Sequence, residues 1–295
     1  MEAEPTATKP SIFDFRRFKE EGRRWTCLTA YDAPTARVLA SAEVPMILVG
    51  DSVGNVVLGH SDTVSVTMVM MLHHCGAVRR GAPTSFIVGD MPFLSYQVSR
   101  EEAVRNAGRF LKEGAVDAVK LEGGGERAGT VEAIVRAGIP VVGHLGLTPQ
   151  NATQLGGYRV QGSDPGAAAE IFDDACRLEE AGAFAIVLEC IPGELAARIT
   201  ETIRIPTIGI GAGAACDAQV LVFHDLAGLS GNFQPRFVRR YVEMESTLIE
   251  AVRRFGEDVS SGDFPSASES FSSPKSVEEL PGGPQEDRLQ RDFGG

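Results

Sequence analysis

The chain has 295 residues, 43% hydrophobic and 23% charged, enough for one large domain or two smaller ones around a sizeable core. A formal net charge of −12 and a pI near 5.0 argue against non-specific attraction to nucleic acid or to an anionic membrane. Five scattered cysteines without C-x-x-C spacing, no secretory signal in MEAEPTATKP and no apolar run of membrane-spanning length predict a soluble, cytoplasmic protein with reduced thiols.

Residues 1–10 read as a disordered lead, and Ile12 to Glu21 as a short helix with a basic end. Trp25 to Ala30 is a first strand. Asp32 then caps a helix that reaches Ala42, with Pro34 in its first turn. The apolar run MILV (46–49) ends in Gly50-Asp51-Ser52, and a Met-rich helix follows over 67–80, its methionines read as packing residues. Adjacent His73 and His74 cannot face one metal from a single helix, because ligands there need i, i+3 or i, i+4 spacing. A third strand runs into Asp90, a helix over 100–113 follows, and a fourth strand carries Lys120 and Glu122 on one face. After a helix over 128–137, Ile139 to Gly143 is a fifth strand ending at His144. The long stretch 145–165, with Gly156-Gly157-Tyr158, reads as a lid or binding loop.

A helix over 166–182 leads to a sixth strand ending at Glu189, and another helix spans 193–202. A seventh strand (205–210) enters Gly211-Ala212-Gly213, and an eighth (220–223) ends at His224-Asp225. Eight short apolar runs, mostly alternating with helices, predict an α/β fold, a (β/α)8 barrel over 11–256 closed by a helix over 235–255. A doubly wound sheet is the alternative. Residues 257–295 hold nine acids and three bases in a Ser/Pro/Gly-rich tail, expected to be disordered at least from 273.

If the strands are parallel, Asp51, Asp90, Glu122 and Glu189 share one rim, the end where barrel enzymes place their chemistry. Asp51, Asp90 and Glu122 offer an all-oxygen donor set suited to Mg²⁺. The alternative is that each acid caps a helix or pairs with a base. Lys120 suits neutralisation of a substrate carboxylate or enolate oxygen, or else an ion pair inside the barrel. Glu189, following an unbroken apolar stretch, suits a general base whose pKa is raised by desolvation. His144 suits a substrate hydrogen bond or a satisfied core position. The turn Gly209-Ile-Gly-Ala-Gly213 suits phosphate binding or tight backbone packing.

The segments LTAYDAPTA (28–36), ILVGDSVGNVVLGH (47–60), HHCGAVRRGAP (73–83), DMPFLSY (90–96), VKLEGG (119–124), GHLGLTPQ (143–150), GGYRVQG (156–162), VLEC (187–190) and IGIGAG (208–213) occur in this order. Together they resemble the ketopantoate hydroxymethyltransferase family across residues 12–271. The resemblance implies a barrel of the phosphoenolpyruvate/pyruvate type. It implies transfer of a one-carbon unit from 5,10-methylenetetrahydrofolate to 3-methyl-2-oxobutanoate, giving 2-dehydropantoate for pantothenate and coenzyme A synthesis. Position by position, it implies Asp51 and Asp90 as Mg²⁺ ligands with Glu122 completing the acidic shell. It further implies Asp51, Ser52, Asp90 and Lys120 as keto-acid contacts, Glu189 as proton acceptor, and a large ring-like homo-oligomer, often a decamer. A lyase or mutase of the same barrel type would need more arginines on the rim loops, and a catalytically dead barrel has no use for the acid set.

Overall fold

The computed structural model describes residues 9–151, 157, 159–231 and 234–271. Gly156 and Tyr158 of the expected lid, residues 1–8 of the lead and the tail from 272 onward lie outside the described residues.

Helix α1 (Ile12–Glu20) precedes strand β1 (Trp25–Thr29), α2 (Ala33–Ser41) and β2 (Met46–Val49). Short α3 (Val53–Val56), α4 (Met68–Gly81), β3 (Phe86–Asp90), α5 (Arg100–Lys112) and β4 (Ala118–Glu122) follow. Then come α6 (Ala128–Arg136), β5 (Val141–Gly146), α7 (Pro165–Glu180), β6 (Ala185–Glu189) and α8 (Gly193–Thr202). The last elements are β7 (Thr207–Ile210), β8 (Ala218–Leu221), α9 (Phe223–Ala227) and α10 (Met244–Ser261). Each strand pairs in parallel with the next, and β8 pairs with β1, so the sheet is a closed barrel rather than a doubly wound sheet. Capping follows the sequence: the Asp32 side chain accepts from Thr35 N at 2.7 Å with Pro34 in the first turn of α2.

Strand residues divide by the two-residue period of the pleat. One set (Cys27, Met46, Val88, Val142, Val187, Ile208, Val220) fills the barrel interior. The other (Ile47, Val49, Ile87, Val119, Leu121, Val141, Ile186, Leu188) packs outward into the helix layer. Helix α1 has a task that its sequence does not announce. Its fully buried Phe15 lies 4.8 Å from the Trp25 ring and 5.1 Å from that of Phe86, both at strand beginnings, so α1 seals the N-terminal end of the barrel. Met71 is buried and Met68 and Met70 pack against the core, as expected of them.

Two features depart from a regular barrel. No helix separates β7 from β8; residues 211–217 join them directly, and Phe237 of the following chain packs against Gly211. The helix expected over 235–255 begins later, at Met244, and runs to Ser261 with no buried residue. The described residues form two compact units that divide between Glu243 and Met244, earlier than the expected boundary at 256. Barrel closure is therefore made by the β8–β1 ladder, not by that helix. Among the described residues, no helix is long and apolar enough to cross a membrane.

Candidate active site

Parallel strands deliver their final residues to one end, and the barrel register brings those residues face to face. Asp90 is opposite Lys120, Glu122 opposite His144, and Gly146 opposite Glu189. Asp51, Asp90, Lys120, Glu122 and His144 are all buried to 4% exposure or less, while the Glu189 side chain keeps 17%. The desolvation expected of Glu189 is thus partial. Ser52 stands beside Asp51, but its hydroxyl is bonded to Tyr31 Oη at 2.8 Å rather than to the carboxylates.

Three carboxylates share one pattern, in which one oxygen is tied by an N–H donor. Asp90 Oδ2 accepts from Asp51 N at 3.1 Å, Asp51 Oδ2 from Gln150 Nε2 at 2.9 Å, and Glu122 Oε2 from Gln150 N at 3.1 Å. Asp90 Oδ1 and Glu122 Oε1 are buried without a hydrogen bond. Lys120 Nζ forms an ion pair with Asp90 Oδ1 at 2.8 Å and lies 4.0 Å from Glu122 Oε1. The ion pair foreseen for Lys120 is therefore present.

Sequence reasoning missed Gln150 and Tyr96. Tyr96 Oη donates to Gln150 Oε1 at 2.7 Å and accepts from Glu122 N at 3.2 Å. Both residues lie in segments that carried the family resemblance, DMPFLSY and GHLGLTPQ, and that is the only sequence signal that points to them.

Electrostatics follow from burial. Burial raises the Asp90 carboxyl well above the ordinary range; Lys120 opposes this and Asp51 and Glu122 add to it. Burial likewise raises Glu122, against its contacts with His144 and Lys120. Burial disfavours the Lys120 charge, but Asp90, Glu122 and Asp51 outweigh it and hold the ammonium protonated. For His144, burial and Lys120 push downward, but contacts with Glu122 and Glu189 prevail and set its pKa at about 9. His144 Nδ1 lies 3.1 Å from Lys120 Nζ and 3.4 Å from Glu122 Oε1. Two N–H donors cannot share 3.1 Å, so the Lys120 contact belongs to the neutral ring, whereas the protonated ring that the raised pKa favours directs Nδ1–H toward Glu122 Oε1. Either way Nε2 carries its proton on the side of Glu189, whose Oε2 is 3.1 Å away but off the hydrogen-bonding direction.

Glu189 is held from behind. Leu147 N donates to Glu189 O at 2.8 Å, and Cys190 N to Ile210 O at 2.9 Å, while Cys190 itself sits at φ 48°, rare for a side chain. Gly146, at φ +92°, makes this approach possible, since a Cβ there would stand 2.1 Å from Glu189 O.

Among the described residues, no three His, Cys, Asp or Glu side chains converge as a ready-made cation cage. Magnesium does not need one. It takes one or two carboxylates and completes its shell with water or substrate oxygens. Glu122 Oε1, buried without a hydrogen bond, is unfavourable until a cation or donor reaches it, and Asp90 Oδ1 already takes the Lys120 ammonium, so the oxygen set attracts positive charge and fits that ion. The Gly209–Gly213 turn fits packing better than phosphate binding, since a Cβ at Gly209 would lie 2.9 Å from Cys216 Sγ and one at Gly213 would lie 3.0 Å from Gly193 Cα.

Known proteins with this fold include phosphonopyruvate hydrolase in complex with oxalate and Mg++ (14% identical, TM-score 0.57, covering 89% of this chain and 93% of that one). Another is 2,3-dimethylmalate lyase (17%, TM-score 0.56, 91% and 93%). At such identity the likeness shows the barrel alone. Closer in sequence are 3-methyl-2-oxobutanoate hydroxymethyltransferases. That of Moorella thermoacetica is 55% identical over 264 residues (90% of this chain, 98% of the relative). That of Thermus thermophilus is 54% identical over 261 residues (88% and 99%). The sequence model of ketopantoate hydroxymethyltransferase matches residues 9–267. From the helix that seals the barrel floor to the acids and base at its mouth, the chain belongs to the ketopantoate hydroxymethyltransferase family of enzymes.

Proposed function

We propose that the barrel mouth enolises 3-methyl-2-oxobutanoate and adds to it a hydroxymethyl unit that originates in 5,10-methylenetetrahydrofolate, giving 2-dehydropantoate for pantothenate and coenzyme A synthesis. The observation that carries this reading is Glu189, a carboxylate on one side of His144, with buried Glu122 on the other side, its Oε1 without a hydrogen bond, and Asp90 paired with Lys120 beside it.

In this reading Asp51 and Asp90 would hold Mg²⁺, with Glu122 completing the acidic shell. Bound there, the ion would draw charge from the keto-acid oxygens as the proton beside the ketone leaves. The chain's own groups do the rest. Glu189 accepts that proton through the oxygen not facing His144. His144 keeps its Nε2 proton beside Glu189 and so orients the base. Lys120 sets a positive charge beside the developing oxyanion, and Ser52, fixed by Tyr31, contacts the keto acid. The reacting carbon becomes quaternary on attack, so an adduct still joined to folate has no hydrogen left to eliminate. Formaldehyde, or its hydrate held in the site, is therefore the working electrophile, and a kinetically competent folate-linked adduct would refute this step. A cytoplasmic setting, in keeping with five free thiols, and a decameric homo-oligomer belong to the same proposal; mass photometry checks the latter.

The deciding experiment is proton NMR of 3-methyl-2-oxobutanoate in D₂O with Mg²⁺. The wild type should wash out the single proton beside the ketone, and Glu189→Gln and Asp51→Asn should not. Exchange that persists in Glu189→Gln removes the base assignment; no exchange by wild type removes the enolisation itself.

A further inference from the structure

The geometry points to Gln150 as the residue that sets the metal preference of the site, by deciding how many oxygens its carboxylates offer. The inference rests on the magnesium reading above and adds what selects that ion.

Gln150 is 4% exposed, and every polar group of its side chain is used. Nε2 donates to Asp51 Oδ2 and to Met91 O, both at 2.9 Å. Oε1 accepts from Tyr96 Oη at 2.7 Å and from Gln97 Nε2 at 3.3 Å. The amide cannot be reversed: a carboxylate and a carbonyl only accept, so the nitrogen must face them. Tyr96 in turn accepts from Glu122 N, which commits its own proton to Gln150. The backbone N–H of the same residue holds Glu122 Oε2 at 3.1 Å. One residue therefore ties one oxygen of Asp51, on the loop after β2, and one of Glu122, on β4. Asp51 N does the same to Asp90.

The consequence is a set of single oxygens. Calcium takes six to eight oxygens and readily accepts both from one carboxylate; magnesium keeps six at octahedral positions, takes carboxylates singly and retains water. With Oδ2 of Asp51 and Oε2 of Glu122 already engaged, bidentate binding requires those bonds to break. Gln150 is in this sense a positioning residue, acting on the metal through Asp51 and Glu122 rather than by touching it. Groups in this outer position commonly change metal affinity by about 10- to 100-fold when replaced.

The test is calorimetric titration of the full chain with Mg²⁺ alone and with Ca²⁺ alone, for wild type, Gln150→Met and Tyr96→Phe, with thermal melts to confirm that each variant is folded. Gln150→Met keeps the volume but frees Asp51 Oδ2; Tyr96→Phe keeps the ring and loosens the amide more gently. Wild type should prefer Mg²⁺. Gln150→Met should bind Mg²⁺ about 10- to 100-fold more weakly while Ca²⁺ binding changes less, and Tyr96→Phe should shift the Mg²⁺/Ca²⁺ ratio the same way by a smaller factor. A folded Gln150→Met or Tyr96→Phe with the wild-type ratio overturns the role of Gln150 and leaves the magnesium reading standing. A wild type that binds neither ion overturns both.

Discussion

Lys120 is a cation buried among carboxylates, and its replacement separates two things it does. With the ammonium gone, Asp90 and Glu122 face each other's charge in a dry site. Removing one partner of a buried pair destabilises by about 3–5 kcal/mol. Lys120→Met should lose stability of that order in urea titrations with chelator present, and Mg²⁺ should restore part of it. An unchanged unfolding midpoint would count against the ion pair as a structural element. Glu189→Gln is the opposite kind of change. Its side chain carries no tertiary hydrogen bond among those described, so stability should hold, while turnover falls by about 10²–10⁴-fold as for other general bases; equal turnover would remove Glu189 from the reaction. The rim acids were legible in the sequence because each interrupts an apolar run at its end. Gln150 and Tyr96 were not, because neither residue type advertises a role, and their partners stand 26 to 99 residues away along the chain.

At the level of elements, β5 and β6 form the hinge of the site, and Gly146 lets them approach. Gly146→Ala would set a methyl carbon against Glu189 O, a backbone atom that cannot yield without moving the base. Activity should fall together with thermal stability, and a fully active, equally stable variant would show that the strand ends are slack. Helix α1 offers the converse, an element far from the chemistry. Phe15→Ala should destabilise by about 3–5 kcal/mol, as for other buried aromatics, while the folded fraction keeps the wild-type KM for the keto acid. The strands and most helices were readable from period and punctuation, whereas the start of α10 was not. Residues 235–243 carry apolar side chains at helix-like spacing, but Phe237 is drawn to Gly211, where β7 passes directly to β8. Tertiary packing overrides local propensity there.

For the molecule as a whole, the proposed metal and the proton would compete for the same oxygens. Asp90 and Glu122 have raised pKa values when folded, so the metal-free fold binds more protons than the unfolded chain and loses stability as pH rises through those values. A cation replaces the protons, so its stabilising effect grows over the same rise. The gain in Tm from a fixed Mg²⁺ concentration should be larger near pH ~8 than near pH ~5.5, and the stabilisation at 100 times Kd should approach about 2.7 kcal/mol. Equal gains at both pH values would mean that the ion binds elsewhere.

The aromatic floor under the barrel has a kinetic corollary. Phe15, Trp25 and Phe86 shut one end, and the packed interior leaves a void of only about 10 Å³, so the reaction chamber has a single doorway. A small acid seated against the buried carboxylates is the deeper guest, and whatever brings the one-carbon unit must stand above it. Under the proposed function, entry and exit would obey the order of a blind alley: the keto acid would go in first, and the enlarged hydroxy acid would leave only after the spent carrier had cleared the threshold.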